Sequence, residues 1–283
     1  MRCTACGLVR TDFDPSQNDL NTYYDEAYYG DEGRRFPAPI EWAVARFRHR
    51  RVRAVLKYQN GPGRILDVGC GRGLMLADFA ARGWEAVGTE FSPELARAVT
   101  TRFGFPVHMA ADLSGFEADS FDVVTMWHSL EHLVNAVDTL REVHRILRPG
   151  GMAVVEVPNL GSWQAKLGGG RWFHLDAPRH LVHFSRDVLL DVAGDLGFGG
   201  REVHTFSLEY GPYGFVQTLL NRLTRQPNLL YARLKGRETV GLLDSVVTVI
   251  ALPPAVLIGS LLEILAAMMG HGGIVRVTLS KKQ

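Results

Sequence analysis

The segment from Ile65 to Phe79 is the feature of the sequence that most constrains its fold. An apolar strand pattern, Ile65–Val68, runs directly into the glycine-rich turn Gly69–Gly73, and a helical pattern follows. Glycines let a backbone turn sharply and approach a ligand closely, and the next helix presents free N–H groups at its positive end. This order of elements predicts a nucleotide-like ligand at the carboxyl end of a strand in an open α/β sheet.

The rest of the pattern extends this sheet. From Arg64 onward, short apolar runs alternate with amphipathic stretches, which is typical of βαβ units and a parallel sheet. We therefore predict an α/β protein with a doubly wound, Rossmann-like sheet. The predicted strands lie near 64–68, 84–89, 105–108, 121–127, 151–157, 200–208 and 273–280. The predicted helices lie near 40–58, 73–82, 92–103, 136–147 and 185–196.

Acidic residues accompany the carboxyl ends of the first three predicted strands. Asp67 precedes the first glycine by two residues in a G-x-G-x-G spacing, whereas a pyrophosphate-binding loop has G-x-G-x-x-G. An anionic Asp67 suits a cofactor with an ammonium group better than one with two phosphates, which disfavours a nicotinamide-dependent oxidoreductase. Glu90 ends the second strand, where doubly wound folds bind ribose hydroxyls, and Asp112 follows the third, within reach of an adenine amino group. Each acid alone is typical of a surface or capping residue, but their succession favours a cofactor site.

These motifs together resemble the class I S-adenosylmethionine (SAM)-dependent methyltransferases, over roughly residues 20–209. The resemblance rests on Leu66–Gly73, Glu90, Phe121–Val124 and Arg145–Gly151. Within that superfamily, Val157–Asn159 and Pro178–Ser185 are similar to the broad bacterial group related to ubiquinone-biosynthesis O-methyltransferases. The resemblance implies SAM as cofactor and a seven-stranded sheet whose last strand is antiparallel, and it implies no particular acceptor. The predicted cofactor-binding residues are Asp67, Gly69, Cys70, Gly71, Gly73, Glu90, Phe91, Ser92, Asp112, Leu113 and Trp127.

Three polar residues follow the fourth predicted strand. His128, Glu131 and His132 stand at i, i+3 and i+4, so a helical turn would place them on one face at the rim. Such a face can hold a general base or a divalent metal. The H-x-x-E-H pattern also occurs in zinc proteases, but its position after a strand of a nucleotide-binding sheet disfavours that interpretation. The resembling O-methyltransferases often have glutamate where this chain has His128, and we predict no metal.

Histidine chemistry suggests the catalytic residues. Methyl transfer mainly requires in-line placement of the acceptor, and a histidine with a pKa near neutrality can also remove a proton from a hydroxyl. His132 is the first candidate base, and the alternative is that His132 and Glu131 only cap and orient a helix. A second polar group lies beyond the fifth strand and consists of His174, Asp176, His180 and His183. Within this group, His180 is predicted to reach the acceptor, and the other three are predicted to form hydrogen bonds within loops. The predicted catalytic residues are His132, His128, Glu131 and His180.

The two ends of the chain extend this core. We predict an N-terminal arm with the remnant of a zinc ribbon over 1–36, a SAM-binding core over 37–209, an apolar helical insertion over 210–270 and the final core strand over 271–283. Cys3-Thr4-Ala5-Cys6-Gly7 resembles the second half of a zinc ribbon, but a closed zinc site needs four ligands and no partner C-x-x-C precedes it. The last strand is antiparallel, so the insertion would emerge at the cofactor rim and could roof the acceptor site.

The apolar insertion contains an uncharged run from Ser245 to Leu262 interrupted by Pro253-Pro254. Its length is nearly sufficient to span a membrane, but the prolines argue for two short helices that fold over the domain. Alternatives are an extra hydrophobic layer without a ligand and peripheral membrane contact through 242–269. The stretch lacks the basic face of a typical interfacial helix.

The composition of the chain limits the kinds of binding partner that are expected. Lys and Arg total 31 against 30 Asp and Glu, so no strong field would attract nucleic acid, and a small, partly apolar acceptor is expected. Three cysteines do not form a disulfide framework, and the N-terminus lacks a signal-peptide pattern, so a cytoplasmic protein is expected, with peripheral membrane contact as the alternative. The sequence predicts methyl transfer from SAM, with oxygen as the expected acceptor atom. The alternative is a SAM-binding scaffold or membrane-docking protein without methyl transfer.

Overall fold

The computed structural model describes residues 1–13, 38–109, 112–235 and 241–282. Its strands are β1 Val9–Arg10, β2 Arg64–Val68, β3 Glu85–Glu90, β4 Val107–Met109, β5 Phe121–Trp127, β6 Leu147–Pro158, β7 Val182–His183, β8 Phe198–His204 and β9 Ile274–Lys281. Its α-helices are α1 Ala38–Leu56, α2 Leu74–Ala80, α3 Pro93–Phe103, α4 Ala136–Ile146, α5 Trp163–Gly168, α6 Arg186–Asp195, α7 Gly211–Leu223, α8 Leu229–Leu234 and α9 Leu242–Met268. Every predicted strand and helix of the core has a counterpart within a few residues.

Seven strands form one sheet in the order β4-β3-β2-β5-β6-β9-β8. β2 pairs in parallel with β3 and β5, β3 with β4, and β5 with β6, while the last strand is antiparallel. The chain runs from β2 outward to β4 and then returns to β5 on the other side of β2. This reversal makes the carboxyl ends of β2 and β5 the switch point at which doubly wound sheets bind ligands. The predicted fold class is confirmed.

The chain forms two compact units. The first comprises Met1–Asp12, Val157–Leu189 and His204–Arg276, and the second comprises Phe13–Glu156, Leu190–Val203 and Val277–Gln283. In the second unit, the central strands β2, β3 and β5 are buried on both faces, as expected of a parallel sheet covered by helices. Its core packs Val52 and Val55 of α1 and Phe79 of α2 against Ile65 and Val123 of the sheet.

The first unit contains α5, α7, α8, α9 and a small ribbon. In this ribbon β1 pairs antiparallel with β7, so that Val9 lies opposite His183, and the Thr11 hydroxyl donates to the His180 carbonyl at 2.6 Å. A two-residue strand is too short to carry a periodic sequence pattern, so the sequence contains no local signal for this pairing. The free cysteines Cys3 and Cys6 lie exposed in the preceding turn, and these two thiols are half of the four ligands that a closed tetrahedral zinc site requires.

Helix α9 differs from its prediction. The expected pair of short helices is wrong, because one continuous helix of 27 residues contains both Pro253 and Pro254. Buried residues lie on both sides of the prolines, at Thr248 and at Ala255, and Ala255 packs with Val216 of α7. Most helical stability in proteins comes from tertiary packing, and here that packing continues across the two lost backbone hydrogen bonds. By length and composition alone, α9 is the one described helix that could cross a membrane.

Candidate functional site

The glycine loop between β2 and α2 takes the conformation that its sequence predicts. Gly69, Gly71 and Gly73 all have positive φ, at 76°, 53° and 67°. A Cβ at Gly69 would lie 2.7 Å from Ser129 Cβ, and one at Gly73 would lie 2.3 Å from Val99 Cγ1, so both positions are closed to larger residues by packing. A Cβ at Gly71 would meet no described atom within 4 Å. The middle glycine therefore leaves open space at the carboxyl end of β2.

Asp67 lies buried beneath this loop. The Thr125 hydroxyl of β5 donates to its Oδ1 at 2.6 Å. Burial raises the pKa of the Asp67 carboxyl to about 7, although the Thr125 hydrogen bond and the charge of Arg51 act in the opposite direction. A buried carboxylate that is difficult to ionise is a favourable partner for a ligand cation, because the cation compensates for the lost hydration.

Glu90 joins the ends of the two neighbouring strands. Its Oε2 accepts from the Gly71 amide at 2.9 Å, and its Oε1 accepts from the amides of Phe91 at 2.8 Å and Ser92 at 3.2 Å. Ser92 also caps α3, since its hydroxyl accepts from Leu95 N at 3.2 Å. The predicted acid at the end of the second strand thus lies directly beside the glycine loop. This contact holds the two strand ends together, as a ligand that contacts both would require.

The remaining predicted cofactor residues have different surroundings. The exposed Asp112 carboxylate accepts from the Ser114 amide at 2.9 Å, which lowers its pKa, whereas Leu113 is fully buried. Trp127 is also buried, with the Arg51 guanidinium 5.2 Å from its ring centroid, and its Nε1 has no hydrogen-bond partner among the described residues. Burial raises the pKa of the Cys70 thiol, which therefore remains a neutral packing group rather than a nucleophile.

His128 does not share a helical turn with Glu131 and His132. It has a left-handed backbone, with φ of 52°, and only Leu130–His132 form a short 3-10 turn. The imidazole nevertheless lies between two buried carboxylates, with Nδ1 3.2 Å from Glu131 Oε1 and Nε2 3.2 Å from Glu156 Oε1. Burial of the ring favours its neutral form, but the two glutamates outweigh this effect and raise the pKa of His128 to about 9.

His132 and His180 belong to different units. The His132 amide donates to the Ser129 carbonyl at 3.1 Å, at the end of the 3-10 turn, and its side chain is half-buried. His180 is buried in the first unit, with Nδ1 2.8 Å from the His174 carbonyl. Because a carbonyl only accepts hydrogen bonds, Nδ1 of His180 is the donor in this contact.

Sequence reasoning missed three contributors to this region. Glu156 binds His128, Thr125 binds Asp67, and the Ser129 hydroxyl is buried near Gly69 with no hydrogen-bond partner among the described residues. Glu156 had a visible signal, since it is the only charged residue in the apolar run Met152–Pro158. Thr125 and Ser129 had none, because hydroxyl residues are common both within strands and after them.

The sheet order and the acid-glycine loop at its switch point define the class I methyltransferase fold. A family model described as a methyltransferase domain matches residues 41–203, and the chain belongs to this family. The chain is 31% identical over 103 residues to the ubiquinone biosynthesis O-methyltransferase of Xanthomonas oryzae pv. oryzae, covering 34% of this chain and 43% of that protein. It is 28% identical over 156 residues to the enzyme of the same name from Roseobacter denitrificans, covering 48% and 62% respectively.

The fold is similar to solved structures over nearly the whole chain. A SAM-dependent methyltransferase from Archaeoglobus fulgidus superposes with a TM-score of 0.56 and 21% identity, covering 92% of this chain and 99% of that one. The curated relatives are matched over less than two thirds of their own length. The cofactor of this domain is SAM, as predicted. The open edge at Gly71, the buried Asp67 and the strand-end Glu90 fit that cofactor's amino-acid and ribose portions.

Proposed function

We propose that the protein transfers the methyl group of SAM to an oxygen atom of a small, partly apolar metabolite. The observation that carries this proposal is the joined edge of β2 and β3, where Glu90 binds the Gly71 amide beside open space. Family membership supports methyl transfer, and the names of the curated relatives support oxygen as the acceptor atom. Bound SAM supplies an activated methyl group on a sulfonium, so the protein's main task is placement.

The residues of the second unit have distinct roles in this proposal. Asp67 holds the ammonium group of the cofactor, Glu90 accepts from its ribose hydroxyls, and Gly71 lets the backbone approach it. Asp112 and Leu113 contact the adenine, the first by accepting from its amino group and the second through its apolar surface. The Trp127 Nε1–H and the Ser129 hydroxyl have no hydrogen-bond partner among the described residues, and both are available as donors to the bound cofactor.

The three histidines of the candidate site have different proposed roles. A histidine with a pKa of about 9 is protonated at neutral pH, so His128 does not serve as the base. We assign it a positioning role, in which its charge holds Glu131 and Glu156 together and thereby fixes the turn that carries His132. His132 remains the proposed base for the acceptor hydroxyl, and His180 remains a proposed acceptor contact.

Calorimetry of SAM binding tests the cofactor site. Replacing Glu90 with Ala removes the acceptor for the ribose and for three backbone amides, so we expect affinity to fall by about 5- to 150-fold. Glu94→Ala is the matched control, because Glu94 is an exposed acid in the first turn of α3. Equal affinities for the two variants would remove Glu90 from the site.

Product formation tests the transfer step. Phenols with apolar substituents are incubated with protein and methyl-labelled SAM, and methyl ethers are sought by mass spectrometry. For an acceptor that reacts, we expect His132→Gln to lower kcat by about 10²- to 10⁴-fold while SAM affinity is unchanged. Tight SAM binding without methylation of any hydroxylated acceptor would instead favour a scaffold that binds SAM without methyl transfer.

A further inference from the structure

Helix α9 of the first unit has an inverted distribution of side chains. Its buried positions are occupied by small or polar residues, namely Thr248, Ala255, Gly259, Glu263 and Ala266. Its exposed positions carry large apolar residues: Leu242, Leu243, Val246, Val249, Ile250, Val256, Leu257, Ile258, Leu261, Ile264, Leu265 and Met268. A helix at a protein–water surface has the opposite arrangement, with its apolar stripe toward the core. The outer face of α9 is therefore suited to a non-aqueous environment.

The inner face of α9 is fixed to the first unit along its whole length. Near its start, the Asp244 carboxylate accepts from the amides of Arg225 and Gln226 at 3.1 and 3.2 Å. In its last turns, Glu263 accepts from the Gly273 amide at 2.8 Å and from Gln164 Nε2 at 3.0 Å. A helix held by protein at both ends of one side cannot be surrounded by lipid, so these contacts favour a helix that lies in the plane of a membrane over one that spans it.

The charges of α9 support the same interpretation. The helix contains no Lys or Arg, and both of its acids are engaged on the inner side. The outer face is consequently without charge over its whole length. An aqueous surface would be expected to carry charged side chains on such a face, whereas a lipid interior disfavours them.

A basic cluster lies beside the first turn of the helix. It consists of the exposed Arg222, Arg225 and Arg233, together with the half-buried Lys235, and no acid occurs from Tyr210 to Lys235. The Arg233 guanidinium donates to the Ser245 hydroxyl at 2.6 Å, and the Arg225 amide donates to Asp244, so these two members of the cluster lie at the start of α9. The cations that the helix itself lacks are thus supplied by the preceding segment. Cations next to an apolar face are complementary to anionic lipid headgroups.

We propose that the outer face of α9 and this basic cluster form a docking surface for an anionic lipid bilayer, with the helix lying in the interface. A second copy of the chain is less suited to the same surface, because two α9 faces would bring no acid to the arginines. The surface lies within the first unit, so the inference does not depend on the identity of the methyl acceptor.

Flotation of the full-length protein with vesicles tests this proposal. Vesicles of phosphatidylcholine with 30% phosphatidylglycerol are compared with pure phosphatidylcholine, at low and at high salt. We expect binding to the anionic vesicles that weakens at high salt. Failure to float with anionic vesicles at low salt would overturn the proposal, and so would equal binding to both vesicles at both salt concentrations.

Two pairs of variants separate the apolar and basic contributions. Leu257→Gln with Leu261→Gln should weaken vesicle binding by about tenfold for each leucine, because each loses the burial of a large apolar side chain. Leu167→Gln with Val203→Gln, at exposed apolar positions outside α9, should leave binding unchanged. Arg222→Gln with Arg225→Gln should weaken binding to anionic vesicles by about fivefold for each arginine, whereas Arg50→Gln with Arg53→Gln in α1 should not.

The oligomeric state supplies an independent outcome. All variants lie at exposed positions, and retention of the wild-type thermal midpoint shows that they fold. If light scattering finds a dimer that the Leu257/Leu261 pair dissociates, and if the wild type does not float, α9 binds a second copy and the membrane proposal is wrong. A wild type that floats while the leucine pair remains in solution supports the proposal.

Discussion

The buried Asp67 makes a sharp prediction about the pH dependence of cofactor binding. Raising its pKa from 3.8 to about 7 corresponds to a disadvantage of roughly 4 kcal/mol for the ionised carboxyl in the free protein. Burial causes this shift, and the charge of Glu90 adds to it. If Asp67 binds the ammonium group of the cofactor, the complex requires the ionised form and its pKa falls on binding. Affinity must then decrease as pH falls below 7.

The expected magnitude follows from this pKa. At pH 8 nearly all Asp67 is ionised, whereas at pH 6 about nine tenths of it is protonated, so affinity should fall about tenfold between these pH values. Calorimetry with S-adenosylhomocysteine provides the measurement, because this ligand keeps the amino group and is chemically stable. Above pH 8 the amino group of the ligand loses its own proton, so a second decrease is expected there.

Asp67→Asn is the matched control. The amide keeps an acceptor for the Thr125 hydroxyl at 2.6 Å but cannot ionise. We expect this variant to bind more weakly at pH 8, to show no decrease between pH 8 and pH 6, and to retain the alkaline decrease. Wild-type affinity that is constant from pH 6 to pH 8 would refute the reasoning, as would an equal acidic decrease in the Asn variant.

Three further predictions concern stability, measured by urea unfolding. Gly73→Ala should destabilise the fold by about 2–4 kcal/mol, because the new Cβ clashes with Val99 and the left-handed backbone adds a cost of about 1–2 kcal/mol. Gly104→Ala is the control, because it has the same backbone cost of about 1–2 kcal/mol without a clash, and equal losses in the two variants would contradict the clash. The raised pKa of His128 stabilises the fold most below pH 6.5, so the free energy of unfolding of the wild type should fall by about 3 kcal/mol as pH rises from 6.5 to 9. His128→Gln should not show this decrease. Burial raises the pKa of Glu263 to about 7, so the free energy of unfolding should fall by about 3 kcal/mol as pH rises from 4.5 to 7. If the free energy of unfolding of Glu263→Gln changes with pH in parallel with that of the wild type, this prediction is wrong.

The sequence predicted the sheet well because its signals are local. The central strands β2 and β5 are mostly apolar, and the glycine turn after β2 stands next to the strand it follows, as Gly69 follows Val68. Short elements were predicted poorly. β1 and β7 have two residues each, and their pairing joins positions that are more than 170 residues apart. Pairing of that kind depends on tertiary contacts rather than on local pattern.

The candidate site was predictable where strand ends carry acids, as at Asp67 and Glu90. The state of His128 was not predictable, because it depends on Glu156, which lies 28 residues away on another strand. The spacing H-x-x-E-H indicated one helical face, yet the left-handed backbone at His128 removes that residue from the turn. Spacing thus identified the interacting residues but not the protonation state that determines their chemistry.

The prolines of α9 show how a valid local rule fails. Two adjacent prolines cost two backbone hydrogen bonds, and this favours a break in an isolated helix. The inner face of α9 is nevertheless lined by small residues, so α7 can approach closely: a Cβ at Gly259 would lie 3.2 Å from Val216 N. Within the apolar run of α9, the small residues at helical spacing thus indicated the face that packs against α7, and the large residues indicated the opposite, exposed face. A partly apolar acceptor would itself partition into a bilayer, so an enzyme docked through this face would meet that acceptor at a concentration higher than in solution.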